Sequence, residues 1–171
     1  MNVVKSIASL GLVAFLAACG SADRYAVDMP PVTEQVSIRF TSVEVRDISL
    51  PSYAAADEIH VRKSNGTLVS SSDELWADSP ERAVALELSE NLSRLTNRRI
   101  ASEPWPFEAY PDARLELRFS ELLAAETGQF RASGQYFVAV STGGSERSGL
   151  FDLTVAFDPK GGPAAIAAAR G

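Results

Sequence analysis

The sequence predicts an α+β fold: a single domain with a mostly antiparallel sheet and a helix packed on it. Residues 80–96 carry apolar side chains at helical spacing, whereas residues 115–119 and 151–157 alternate apolar with polar side chains. Asn65-Gly66 and Gly143-Gly144 are turn signals between extended segments. Together these observations indicate short strands joined by tight turns, with one long helix among them.

The N-terminal segment has the composition of a lipoprotein signal peptide. Lys5 supplies a positive charge, and residues 7–18 are apolar or small, a run too short to cross a bilayer but typical of a signal peptide. This run ends in Leu16-Ala17-Ala18-Cys19, which matches the processing pattern of bacterial lipoproteins. We therefore expect residues 1–18 to be removed and Cys19 to be acylated, with palmitate among its chains.

Residues 19–32 are predicted to form a lipidated tether, and residues 33–171 the periplasmic domain. The tether is polar, contains Pro30-Pro31 and shows no periodicity. Two or more acyl chains on Cys19 would give stable anchoring. Gly20-Ser21 follows the cysteine, with no aspartate directly after it, which favours the outer membrane in Gram-negative sorting. The expected location is the outer membrane, with the domain facing the periplasm.

The strands before the helix carry weaker patterns than those after it. Residues 36–45 alternate but change phase at Thr41-Ser42, which suggests a bulge or a bend. The other predicted strands are residues 58–62, 67–70, 99–102, 115–119, 129–140 and 151–157.

The helix over residues 80–96 has a clear start signal. Ser79 is a plausible N-cap, and Pro80 suits the first helical position. Its apolar stripe consists of Val84, Leu88, Leu92 and Leu95. A second helical segment, residues 164–170, ends with the chain after about two turns, so it is interpreted either as a truncated helix or as a short tail.

Composition and motifs exclude several classes of function. The net charge of −6 argues against nucleic-acid binding. Cys19 is the only cysteine and His60 the only histidine, so we expect no metal site and no cofactor. No nucleophile-elbow, P-loop or dinucleotide-binding motif occurs, and an envelope hydrolase would lack an identifiable nucleophile. The sequence predicts no catalytic residues and no enzyme activity.

Four residues are candidates for contacts with a partner protein: Tyr53, Trp76, Leu86 and Trp105. Trp76 and Trp105 lie in predicted loops beside prolines, where they either close the ends of the core or anchor an interface. Leu86 falls on the polar face of the predicted helix, as a stray exposed leucine or as a contact residue.

Several segments taken together resemble a known family. Leu50-Pro51-Ser52-Tyr53 precedes Asp57-Glu58-Ile59, and Trp76-Ala77-Asp78-Ser79-Pro80 then leads into the helix that ends with Glu90-Asn91-Leu92-Ser93-Arg94-Leu95. Because these segments occur in this order behind a lipoprotein signal, the mature chain resembles the ABC-type transport auxiliary lipoproteins. This family includes the PqiC-like lipoproteins. Relatives continue past position 171 with a C-terminal helix, so residues 164–170 resemble its first turns.

The resemblance implies a non-enzymatic subunit of an MCE-type system that moves lipids between the inner and outer membranes. Its partners would be an MCE-domain protein and an ABC permease or another inner-membrane component. It would link or cap this assembly at the outer membrane and support envelope integrity, and it would be able to form a ring-like homo-oligomer. The alternative is an outer-membrane assembly or stabilising lipoprotein that binds another envelope protein without a transporter.

Overall fold

The fold is seen in a computed structural model that describes residues 21–144 and 146–171. The leader predicted over residues 1–18, and Cys19 itself, lie outside the described residues. The strands are β1 (Asp23–Tyr25), β2 (Ser42–Val45), β3 (Val61–Arg62), β4 (Leu68–Val69), β5 (Glu74–Trp76), β6 (Arg99–Ser102), β7 (Ala113–Ala125), β8 (Gln129–Val140) and β9 (Arg147–Ala156). The helices are α1 (Pro80–Thr96) and α2 (Gly162–Arg170), with a 3-10 turn at Pro159–Gly161 between β9 and α2.

The main sheet is built around β7, its longest strand. One edge of β7 pairs with β8 in antiparallel orientation along its whole length, and β8 pairs with β9 in the same way. The other edge of β7 pairs in parallel with β2 near its start and with β3 near its end. β6 lies beside β2, and β4 lies beside β3. The predicted α+β domain is confirmed, and its longest pairings are antiparallel.

Helix α1 begins and ends as its sequence predicts. Pro80 occupies its first turn, and Asn97 follows it in the left-handed conformation, with φ of 52°. The helix packs across β2 and β6, where a first core cluster gathers around Val45, Ile48 and Ala85. The stripe residues Val84, Leu88 and Leu92 pack against this cluster but remain half-buried. The helix therefore covers the β2–β6 side of the sheet and leaves the β8–β9 side uncovered.

A second core cluster lies where α2 packs against the end of the sheet. It brings together Ile59, Trp76, Ala124, Phe130 and Ile166, each almost fully buried. This cluster includes the last residues of β7, the first residues of β8 and the apolar side of α2. The short C-terminal helix is thus part of the packed domain.

The structure differs from the sequence-based expectation at the N-terminal side. Asp23–Tyr25, expected to lie within the tether, pairs in parallel with β5, and Val27 packs against the second core cluster. Residues 36–40, expected as a strand, form none, and the backbone N–H of Val36 bonds to the last turn of α1 at Leu95. Both differences arise because the backbone of these segments forms hydrogen bonds with residues far along the chain. The local alternation of apolar and polar residues does not encode such contacts.

Candidate functional site

The described chain contains an open apolar groove of about 520 Å³. It lies between the β7–β8–β9 face of the sheet and the two helices. Its volume falls within the range of about 300–1,000 Å³ that is typical of ligand pockets. We call this feature the apolar groove.

The floor of the apolar groove is one face of the three longest strands. The floor residues are Leu117, Phe119 and Leu122 of β7, Phe130, Ala132 and Tyr136 of β8, and Phe151, Leu153 and Val155 of β9. A bulge between Phe119 and Glu121 shifts the alternation by one, which keeps Leu122 on the floor. The rings of Phe119 and Phe151 meet edge to face at 5.2 Å, across Gly134. The resulting floor is continuous and aromatic at its centre.

The roof of the apolar groove is incomplete. Val84 and Leu88 of α1, Ala169 of α2 and Met29 face the floor. The two helices cover β9 only in part, so Leu153 remains 61% exposed and Val155 48% exposed. Large apolar side chains exposed side by side on one face commonly mark a binding surface.

Apart from Tyr136 on the floor, the polar side chains of the groove lie on its helix side, and Arg170 is central among them. Its side chain is only 4% exposed, and its Nη2 lies 3.3 Å from Oε2 of Glu87. Its guanidinium also stacks on the ring of Trp76 at 4.7 Å. Two buried atoms here, Asn91 Oδ1 and Arg170 Nε, have no hydrogen-bond partner within the described chain.

Burial changes the ionisation of this ion pair. It raises the pKa of the Glu87 carboxyl above its ordinary value, although Arg170 beside it acts in the opposite direction. Burial also lowers the pKa of the Arg170 guanidinium, against the attraction of Glu87. The pair links α1 to α2 beside the groove, with its charges partly withdrawn from water.

Two of the four residues predicted to contact a partner lie mainly within the domain. Trp76 is 8% exposed and belongs to the second core cluster, so its principal role is packing. Tyr53 is half-buried and lines a small internal pocket together with Trp76 and His60. Burial raises the pKa of the Tyr53 phenol above its ordinary value.

The other two candidates, Leu86 and Trp105, lie outside the core clusters and far apart. Leu86 is 41% exposed on α1 and lines a shallow cleft beside Tyr25 and Ala26. Trp105 lies in residues 103–111, which we call the aromatic loop, and its Nε1 donates to the carbonyl of Ala109 at 2.7 Å. The structure therefore does not bring the four residues into one site.

The aromatic loop and the N-terminal strand lie at opposite ends of β7. The loop leads directly into Ala113, the first residue of β7, whereas Tyr25 packs against the cluster that contains Ala124 near the other end. A strand of this length spans about 40 Å. Tyr110, near the end of the loop, is 83% exposed. The domain thus presents an exposed aromatic surface far from the point where the chain enters the fold.

The residues that would carry chemistry are dispersed. The Nδ1 atom of His60 lies 3.0 Å from the carbonyl oxygen of Glu58, which suits a structural contact at the start of β3. Within residues 21–144 and 146–171, no group of three His, Cys, Asp or Glu side chains could hold a metal ion. In the same part of the chain, no helix is both long enough and apolar enough to cross a membrane.

Sequence reasoning missed the apolar groove. The one-sided alternation of β9 showed that Leu153 and Val155 share a face, and the α1 stripe named Val84 and Leu88. Neither pattern shows that α1 and β9 are separated by a gap, which forms the groove. The pairing of Glu87 with Arg170 has no local sequence signal either, because 83 positions separate the two residues.

The fold of this chain is similar to those of two proteins of known structure. A crystal structure of an uncharacterized protein matches with a TM-score of 0.65 and 16% identity, over 84% of this chain and 88% of that chain. The crystal structure of XCC0632 from Xanthomonas campestris, of family DUF330, matches with a TM-score of 0.58 and 14% identity, over 86% of this chain and 83% of that chain. At these identities the similarity shows a shared fold.

A family model also matches most of the chain. The model of the family described as the ABC-type transport auxiliary lipoprotein component matches residues 25–170. The chain therefore belongs to this family, and the resemblance seen in its sequence motifs is confirmed at that level. No curated protein matches the chain.

Proposed function

We propose that this protein is a non-enzymatic, lipid-anchored subunit of an MCE-type lipid transport system. In this proposal it links or caps the transport assembly at the outer membrane and supports envelope integrity. The observation that carries the proposal is the family match, which extends over residues 25–170 and so includes nearly the whole folded chain. Its partners are an MCE-domain protein and an ABC permease or another inner-membrane component.

The position of Cys19 supports anchoring close to the membrane. Only four residue steps separate Cys19 from the start of β1 at Asp23. Four residues span at most about 14 Å when extended. If Cys19 is acylated as its sequence context predicts, the β1 end of the domain lies next to the membrane. The aromatic loop then points away from it, towards the other components.

We assign the partner contact to the aromatic loop, with Trp105 and the exposed Tyr110 as its anchors. Tyr and Trp dominate the energetics of many interfaces because they bury a large area at low entropic cost. Leu86, at the membrane-proximal end, is assigned to a separate contact, which suits a neighbouring copy of the chain in a homo-oligomer.

Co-purification tests the proposal directly. The full-length protein, tagged at its C-terminus, is extracted from membranes in mild detergent, and the recovered proteins are identified by mass spectrometry. We expect an MCE-domain protein among them, with recovery lowered at least tenfold by the double variant Trp105→Ala, Tyr110→Ala. Recovery of other envelope proteins without any MCE protein would favour the alternative, an assembly or stabilising lipoprotein.

Fractionation tests the anchor. We expect the protein to take up radioactive palmitate and to sediment with the outer membrane, whereas Cys19→Ser should abolish labelling and leave the protein outside that fraction. Ser21→Ala is the matched control, because it changes a nearby side chain without removing the acylated sulfur. Unchanged labelling of Cys19→Ser would refute acylation at this position.

A further inference from the structure

We propose that the apolar groove binds one acyl chain of a glycerophospholipid from the membrane that carries the protein. The inference rests on the proposed function in one respect: the anchor at Cys19 holds the groove near that membrane. It adds a direct lipid site on the subunit itself.

The size and lining of the groove fit an acyl chain. At roughly 30 Å³ for a group the size of a water molecule or a methylene, a cavity of about 520 Å³ has room for about 17 such groups. The floor is continuous and apolar from Leu117 to Val155, and its aromatic centre at Phe119 and Phe151 offers broad contact to a flexible chain. A long unbranched hydrocarbon matches this volume and this lining.

The polar side of the groove fits the other end of a lipid. Glu87, Asn91 and Arg170 border the apolar lining where α1 and α2 approach each other. Glu87 and Arg170 also border the cleft lined by Tyr25, Ala26 and Val27, which directly follow the start of the fold. The ester and headgroup region of the lipid therefore lies beside the segment nearest to the anchor.

The short connection from Cys19 brings the groove within reach of lipid. At most about 14 Å separate Cys19 from Asp23, and Met29, six residues further along, already lines the groove. A chain of Cys19 itself is a poorer occupant than a phospholipid chain. Each methylene withdrawn from the bilayer would cost the anchor about 0.8 kcal/mol of membrane affinity.

Site-specific photocrosslinking in intact cells tests the proposal. Two variants of the full-length protein carry p-benzoylphenylalanine. In the first it replaces Leu153 on the groove floor, and in the second it replaces Leu150, three positions earlier on the opposite face of β9. Leu150 is 79% exposed and so is the more accessible of the two to lipid in general. Cells are grown with [32P]phosphate and irradiated, and the denatured protein is counted for covalently attached label.

We expect at least fivefold more 32P on the Leu153 variant than on the Leu150 variant. Adding Ala132→Trp, which fills the groove opposite Leu153, should remove most of that label. Val155 is a second groove position, with Thr154 as its control, in case the first variant does not accumulate. Equal labelling at groove and control positions overturns the proposal.

Mass spectrometry of the same irradiated protein, which also detects adducts that carry no 32P, distinguishes two other occupants. Crosslinking of Leu153 to a protein would show a docked polypeptide, and an adduct without phosphorus would show a chain of Cys19; either result overturns the proposal. Loss of the 32P difference with normal recovery of an MCE protein would reject the lipid site alone. Groove labelling without any MCE protein would reject the transport role alone.

Discussion

The guanidinium of Arg170 lies 3.3 Å from the carboxylate of Glu87, so the last residue of α2 is tied to the middle of α1. The same guanidinium covers the ring of Trp76. One side chain therefore joins both helices and the second core cluster. Because it also borders the apolar groove, the stability of the domain and the shape of the groove depend on the same contact.

Removing this contact should lower stability. We expect Arg170→Ala to lower the free energy of unfolding by about 2 kcal/mol, because it leaves the half-buried Glu87 unpaired and exposes the ring of Trp76. Urea unfolding followed by circular dichroism measures the change. Arg82→Ala is the control: its pair with Asp78 is exposed, so the change should be at most about 0.5 kcal/mol. Equal effects would show that Arg170 acts only as a surface charge.

The raised pKa of Glu87 gives a prediction for pH dependence. Since the folded state binds the proton more tightly than the unfolded state, this group contributes stability below its ordinary value of 4.5, and that contribution is lost as pH rises through the folded-state pKa. The melting temperature of the wild type minus that of Glu87→Gln should therefore fall from pH 4 to pH 7. Glu90→Gln, on the exposed side of α1, provides the comparison. A difference that grows with pH would contradict the assignment.

Asp112 should be a stabilising link between the starts of β2 and β7. Its carboxylate accepts bonds from the Thr41 N–H at 2.7 Å, the Thr41 hydroxyl at 2.5 Å and the Ser42 N–H at 3.1 Å. These bonds lower the pKa of Asp112. We expect Asp112→Ala to cost about 1 kcal/mol in urea unfolding, and Glu108→Ala in the neighbouring loop to cost almost nothing. No effect of Asp112→Ala would mean that water replaces these bonds without loss.

Substitutions of Trp76 and Leu86 should have different effects, the first on stability and the second on self-association. Trp76→Ala removes a buried ring and should lower the free energy of unfolding by about 3–5 kcal/mol. Leu86→Glu changes an exposed position and should alter stability by at most about 0.5 kcal/mol. It should instead weaken self-association, measured by sedimentation of the detergent-extracted protein. Wild-type association of Leu86→Glu would remove this residue from the proposed contacts.

Elements with strong local signals could be predicted from the sequence. Ser79 and Pro80 mark the start of α1, and its apolar stripe extends to the observed end. Residues 136–140 carry apolar side chains on both faces, which is typical of a central strand, and β8, which contains them, lies between β7 and β9. In both cases the side chains that decide the structure lie within the element itself.

The remaining features depend on contacts between distant parts of the chain. β1 is three residues long and is held by its pairing with β5, about fifty positions away, and by the packing of Tyr25 against the second core cluster. The apolar groove exists because the sheet is wider than the area that α1 and α2 cover, which no single segment encodes. Trp76 and Trp105 are both predicted to lie in loops, yet Trp76 ends β5 in the core and Trp105 belongs to a surface loop.

The short distance between Cys19 and β1 has a further consequence if Cys19 is acylated. The domain then diffuses only within the plane of its membrane, and encounters with partners in that membrane become a search in two dimensions. In the orientation proposed above, with β1 near the membrane and the aromatic loop away from it, the domain reaches about as far as the roughly 40 Å length of β7. A partner from the opposite membrane would then have to span the remaining distance itself.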